Sequence, residues 1–195
     1  LNARLTGKTF KKWMMLRSFA RSIFNKITIT YPQNLETAKY LKILKVDKIR
    51  HLGNLKFAEN FEEDLERINI NLKKELKNKK IWVASSTHRN EEIFCAKAHI
   101  QLRKNIKNLI TIVIPRHIHR SDEIISEIKS LGLKVLKHSS KPRSLKNIDI
   151  YIVDTFGETK KFHKIGASVF LGGSIIDRGG HNPVEAARFG AKILH

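Results

Sequence analysis

GGSIIDRGGHNPVEAA, from Gly172 to Ala187, is the stretch on which the reading of this chain turns. It follows a short apolar run, Ser168 to Leu171 (SVFL), and leads into an apolar helical pattern. That order is strand, glycine-rich loop, helix. Gly172, Gly173, Gly179 and Gly180 let a backbone approach a ligand closely and take positive φ at low cost. The helix behind the loop would aim its free N–H groups and positive dipole end at the loop, which suits a phosphate. The expectation is a chain that binds a phosphorylated ligand here.

The same alternation runs back to residue 81. Strands are predicted at Ile81–Ala84, Leu109–Ile114, Leu133–Leu136, Ile148–Val153, Ser168–Leu171 and Lys192–Leu194, and helices at 91–104, 121–131, 158–165 and 182–190. Near-continuous apolar strands alternating with helices argue for an α/β fold with a parallel sheet covered on both faces. Ahead of it, residues 58–80 are charge-rich and read as a linker helix and a basic approach to the first strand, with a domain boundary in this stretch. Residues 8–25 read as one basic amphipathic helix, with Trp13, Leu16, Ala20, Ile23 and Phe24 at helical spacing. Such a helix can lie on an anionic membrane or pack on a sheet with its basic face outward. Lys26–Thr30 (KITIT) and Lys48–Leu52 (KIRHL) read as strands, and 34–45 as a helix.

The chain has 195 residues and a formal net charge of +20. Nucleic-acid binding, attraction to an anionic membrane or substrate, and a lysine-rich but functionally neutral surface all fit that charge. Against the first, the lysines are scattered and no helix-turn-helix, zinc or RNP-type signature is present. No apolar run is long enough to span a bilayer, and no signal peptide is visible. The one cysteine, Cys95, excludes an internal disulfide framework and reads as a small buried hydrophobe. The opening Leu1-Asn2-Ala3-Arg4 and the strand-like ending Lys192 to His195 (KILH) suggest a piece of a longer protein.

In open parallel sheets, ligands bind outside the carboxyl ends of the strands. The turns there carry Ser85-Ser86-Thr87-His88, Pro115-Arg116-His117-Ile118-His119-Arg120, Asp154-Thr155-Phe156-Gly157-Glu158 and the glycine loop ending in His181-Asn182-Pro183-Val184-Glu185. Small, hydroxyl, basic and carboxylate groups together suit a ligand with phosphate and hydroxyl groups. Arg116 is the best phosphate clamp, because a guanidinium pairs with phosphate bidentately. Glu185 could accept from the two hydroxyls of a ribose, or simply complete a capping box with Asn182 as N-cap and Pro183 at the first helical position. Thr155 to Glu158 has capping-box spacing too. His88, His117 and His119 match no zinc spacing. His88 reads as a polar ligand or a loop contact, and His119 as a solvated helix-start residue. Glu91, Glu92, Asp122 and Glu123 sit at helix starts, where negative charge suits the dipole, and carry no assigned chemistry.

NARLT (Asn2–Thr6), GNLKF (Gly53–Phe57), STH (Ser86–His88), PRHIHR (Pro115–Arg120), DTFGE (Asp154–Glu158) and GGHNPVEAA (Gly179–Ala187) together resemble the 3-deoxy-D-manno-octulosonic acid (Kdo) transferases of lipopolysaccharide synthesis. The resemblance implies a GT-B fold, with part of an N-terminal Rossmann-like, acceptor-side domain at 1–57, a linker at 58–80 and a truncated C-terminal donor-binding domain at 81–195. It implies CMP-Kdo as donor, a lipid A precursor as acceptor, and a place on the inner-membrane surface at its cytoplasmic face, with no nucleic-acid partner, cofactor or metal. The CMP contacts would fall on Pro115, Arg116, Phe156, Gly157, Glu158, Asn182, Pro183, Val184 and Glu185, and Lys56 would stabilise charge on the departing phosphate. The family's membrane-anchoring segment and its catalytic carboxylate, a general base, have no counterpart in these residues, which implies a piece that does not catalyse transfer by itself. Arg89-Asn90 departs from the glycine-containing turn often found after STH. Two rival readings are another GT-B transferase using a UDP-sugar and a basic nucleic-acid-binding module.

Overall fold

The computed structural model describes residues 1–53, 68–176 and 180–195. The chain divides into two compact units, Leu1–Glu63 and Asp64–His195.

In the first unit the basic amphipathic stretch is two helices, α1 (Gly7–Met15) and α2 (Arg17–Phe24), where the sequence predicts one. The break falls at Leu16, whose backbone leaves the helical region (φ −116°, ψ 53°). The Thr6 hydroxyl caps α1 by accepting from Thr9 N, and Asn34 Oδ1 caps α3 (Leu35–Ile43) by accepting from Thr37 N at 2.8 Å. Each satisfies an N–H that the helix itself cannot reach. The two segments predicted as strands, Lys26–Thr30 and Lys48–Leu52, form no strand. They meet only in an isolated parallel bridge, Thr30 with Ile49. Their alternation has no broad sheet to join among the described residues, and the unit's buried apolar side chains there are few: Ala20, Leu41, Leu44 and Val46.

The second unit is a three-layer α/β sandwich. Helix α4 (Ile70–Leu76) leads into β1 (Lys80–Thr87), and the chain continues through α5 (Glu91–Leu102), β2 (Leu109–Pro115), α6 (Ser121–Ser130), β3 (Val135–Lys137), β4 (Ile150–Ile152), α7 (Thr159–His163), β5 (Ser168–Leu171), α8 (Val184–Ala187) and β6 (Lys192–Leu194). Six strands form one sheet in the order β3-β4-β2-β1-β5-β6. Every pairing is parallel. β1 and β2 bury side chains on both faces, as the apolar runs require. One face carries Val83, Ile112, Tyr151 and Val169, packed with Leu76 of α4, Phe162 of α7 and Ala186 of α8. The other carries Trp82, Val113, Ile150 and Phe170, packed with Cys95 of α5 and Ile124 and Ile128 of α6.

Two buried polar groups tie the layers together. His99 Nδ1 lies 2.8 Å from Thr111 Oγ1, and His163 Nε2 lies 2.9 Å from Ser85 Oγ. Burial pulls the His163 pKa down from 6.5 to about 4. As pH falls, the unfolded chain takes up this proton first. The stability it confers is therefore intact above pH 6.5 and lost progressively as pH falls toward 4, to a total of about 3 kcal/mol. Burial shifts His99, His138 and His181 in the same direction. Urea unfolding at pH 7 and pH 5 should show a clear acid loss in this chain and a smaller one in His163→Gln; an undiminished loss in the variant would exclude His163 as a source.

Candidate functional site

All six strands run in one direction, so their carboxyl ends share one edge. That edge receives His88 after β1, Arg116 after β2, Asp154 to Glu158 after β4 and Gly172 after β5. β1 and β5 are neighbours, yet α5 leaves for one face of the sheet and α8 for the other. Their connections part there and open a crevice, the usual ligand position in such sheets.

The crevice is clasped from below by Glu91. Its carboxylate is 1% exposed and accepts from three backbone N–H groups: His88 N and Gly173 N at 2.9 Å each, and Ile175 N at 3.2 Å. One side chain thus joins the exit of β1 to the exit of β5. Glu92, also buried, accepts from Thr87 Oγ1 and from Arg120 Nη1, both at 3.2 Å. Burial raises the Glu92 pKa, with the Arg120 charge opposing. The helix-start role expected for Glu91 and Glu92 is therefore incomplete, because both carboxylates are turned inward and build the site. At the α5 start Asn90 takes a left-handed φ of 76° and makes no side-chain cap.

The glycine loop differs from its expected use in the same way. Gly172 N donates to Ser85 O, Gly173 N and Ile175 N donate to Glu91, and Gly180 N donates to Gly173 O. These N–H groups hold the loop to the protein and are not free for a phosphate. The glycines serve close packing. A Cβ at Gly172 would collide with the Ser86 carbonyl, and Gly173 sits at φ 76°.

Positive charge for an anion comes from side chains. Arg116 is exposed, its backbone N–H anchored to Thr87 O at 2.9 Å behind the buried Pro115. Among the described residues its guanidinium has no ion-pair partner. His181 lies beside it: burial and then the Arg116 charge lower the His181 pKa, with Glu91 opposing. His181 Nε2 is 3.2 Å from His88 Nε2, and the two rings stack with centroids 5.4 Å apart. Two imidazole nitrogens at that distance require one donor and one acceptor. His88 is thus the loop contact the sequence suggests, with a named partner.

The remaining candidates gather on the α7–α8 side. These two helices follow parallel strands on one face and pack against each other; Phe156, Gly157 and Glu158 lead into α7, and Asn182 and Pro183 lead into α8, which carries Val184 and Glu185. Phe156 is 81% exposed, a large aromatic held out to solvent, and Gly157 has φ 81°. Neither capping box forms. Glu158 pairs with Lys161 at 3.0 Å, and Thr155 Oγ1 is buried without a partner. Asn182 Oδ1 accepts from Val184 N at 3.2 Å, while α8 begins only at Val184 with Pro183 before it. Glu185, in the first turn of α8 and half-buried, makes no capping bond back. Lys56 lies outside the described residues. Among those described, no group of three or more His, Cys, Asp or Glu side chains is arranged to hold a metal ion.

A doubly covered parallel sheet with an arginine, a histidine pair and two helix starts at its carboxyl edge is an α/β domain of the GT-B type. Residues 1–59 match the family model of the 3-deoxy-D-manno-octulosonic-acid transferases (kdotransferases). The chain is 35% identical over 198 residues to the 3-deoxy-D-manno-octulosonic acid transferase of Rickettsia felis, covering 100% of this chain and 42% of that protein. It is 26% identical over 196 residues to that of Haemophilus influenzae, covering 99% of this chain and 46% of that protein. Among solved structures it resembles the C-terminal CMP-Kdo binding domain of WaaA from Acinetobacter baumannii, with a TM-score of 0.54 and 30% identity over 60% of this chain and 62% of that one. The chain is thus similar along its whole length to Kdo transferases, and it spans less than half the length of these two curated relatives.

Proposed function

We propose that this chain provides the CMP-Kdo-binding part of an enzyme that transfers Kdo to a lipid A precursor. The observation that carries the reading is the sheet edge itself. Arg116, without an ion-pair partner among the described residues, follows β2 on the same carboxyl edge that carries the β1–β5 crevice and the segments leading into α7 and α8, with Gly157, Glu158, Asn182 and Glu185. A nucleoside monophosphate needs both kinds of group: a cation at its phosphate and acceptors at its ribose. In the transfer, an acceptor hydroxyl would attack the anomeric carbon of the sugar, lose its proton to a base and displace CMP with the bonding electron pair. Charge then grows on the phosphate, and a fixed guanidinium stabilises it most at that moment. Lys56 would share that role. The similar WaaA domain, which binds CMP-Kdo by its description, supports CMP over a uridine donor.

A lipid acceptor puts the enzyme at a membrane surface, which we place at the cytoplasmic face of the inner membrane. Among the described residues no helix is long and apolar enough to cross a bilayer. What supports surface contact is the exposure of Met15, Leu16 and Phe19 beside Lys11, Lys12 and Arg17. The donor reading is tested by following the chain's amide shifts while CMP, and separately UMP, is added. Saturable shifts with CMP at Gly157 and Glu185, weaker with UMP, support it; equal responses to both overturn the cytidine assignment.

A further inference from the structure

We propose that the sugar-acid half of the donor sits in a separate cleft between the exits of β1 and β2, lined by His88, Asn90, His117, His119, Arg120 and Glu123. The inference rests on the CMP-Kdo reading and adds the subsite for the transferred group.

The cleft measures about 630 Å³, within the ordinary range of ligand pockets. It adjoins the anion position directly. His88 lines it, and His88 Nε2 is 3.2 Å from His181 Nε2, the ring on which the Arg116 charge acts. A ligand with its phosphate at Arg116 can therefore place its nucleoside toward α7 and α8 and its sugar across the histidine pair into the cleft.

The lining fits a polyhydroxylated carboxylic acid. Such a group needs cations and N–H donors for its carboxylate, and mixed donors and acceptors for its hydroxyls. Arg120 is 13% exposed and already held by Glu92 at 3.2 Å and Glu123 at 3.3 Å, so its position is set. Its Nη2 is nevertheless buried without a partner, as is Glu92 Oε2. Arg120 itself lines the cleft, so its fixed guanidinium sets a positive charge against any occupant and favours a polar, anionic one. Glu123 also accepts from Arg89 and keeps lone pairs for hydroxyls. His117 and His119 are exposed at the rim, 5.6 Å apart, with His117 6.0 Å from His88. An apolar or purely cationic occupant would leave these donors unmet.

The test compares CMP with CMP-Kdo on this chain, on His117→Ala and on His119→Ala, by titration calorimetry. Both side chains are exposed, so neither substitution removes core packing. CMP affinity should stay within about twofold while CMP-Kdo affinity falls about tenfold, the effect of one lost polar contact to a charged group. Parallel changes for the two ligands, or no change in either variant, would overturn the subsite while leaving the donor reading intact. If the unsubstituted chain binds no CMP, the donor reading falls and the subsite with it.

Discussion

Arg116→Ala is expected to weaken CMP binding by about 10- to 100-fold, because hydrogen bonds to a charged group contribute about 1.5–3 kcal/mol each. The loop's own N–H groups at Gly172, Gly173, Ile175 and Gly180 are committed within the protein. Folding should be unaffected, since Arg116 is exposed and has no ion-pair partner among the described residues. Arg116→Lys should recover only part of the affinity, because an ammonium offers a point charge and no bidentate fork. Dissociation constants for the three proteins by calorimetry check this. Unchanged CMP affinity in Arg116→Ala would move the phosphate elsewhere on the edge.

The second large effect concerns Glu91. Removing its carboxylate strands three backbone N–H groups, two of them in buried contacts. Each unsatisfied donor costs about 1–3 kcal/mol, so Glu91→Ala should lose at least about 3 kcal/mol of unfolding free energy. Glu91→Gln should lose less, because its one carbonyl oxygen can still accept from both His88 N and Gly173 N. Urea denaturation monitored by circular dichroism measures both. A loss below about 1 kcal/mol in Glu91→Ala would mean that the β1–β5 crevice is held by other contacts.

The parts of this architecture that repeat a local pattern are legible in the sequence. The β5 and β6 strands coincide residue for residue with the expected Ser168–Leu171 and Lys192–Leu194, because each is an apolar run bounded by turn or helix residues. β1 runs further than its apolar core suggests, through Ser85 and Thr87. Their hydroxyls look like turn chemistry in sequence but are buried, bonded to His163 and Glu92. KITIT and KIRHL show the opposite error: alternation alone does not make a strand without a sheet to extend. The sequence places Arg116, Gly157 and Asn182 on one edge from the α/β alternation. It does not reveal what Glu91 does. The partners Gly173 and Ile175 lie 82 and 84 positions away, and a buried carboxylate at a helix start looks like any first-turn acid. The one available signal is two adjacent acids entering a helix with small and apolar residues after them, and it does not distinguish burial from exposure.

The claim on which the rest depends is that this sheet edge recognises a cytidine nucleotide. Amide-shift mapping with CMP tests it most directly. Saturable changes confined to Arg116, Gly157, Glu158 and the Asn182–Glu185 segment, persisting at moderate salt, are the expected result. Shifts spread over the lysine-rich surface and erased by salt, or none at that edge, would contradict it and mark the +20 charge as the real source of binding.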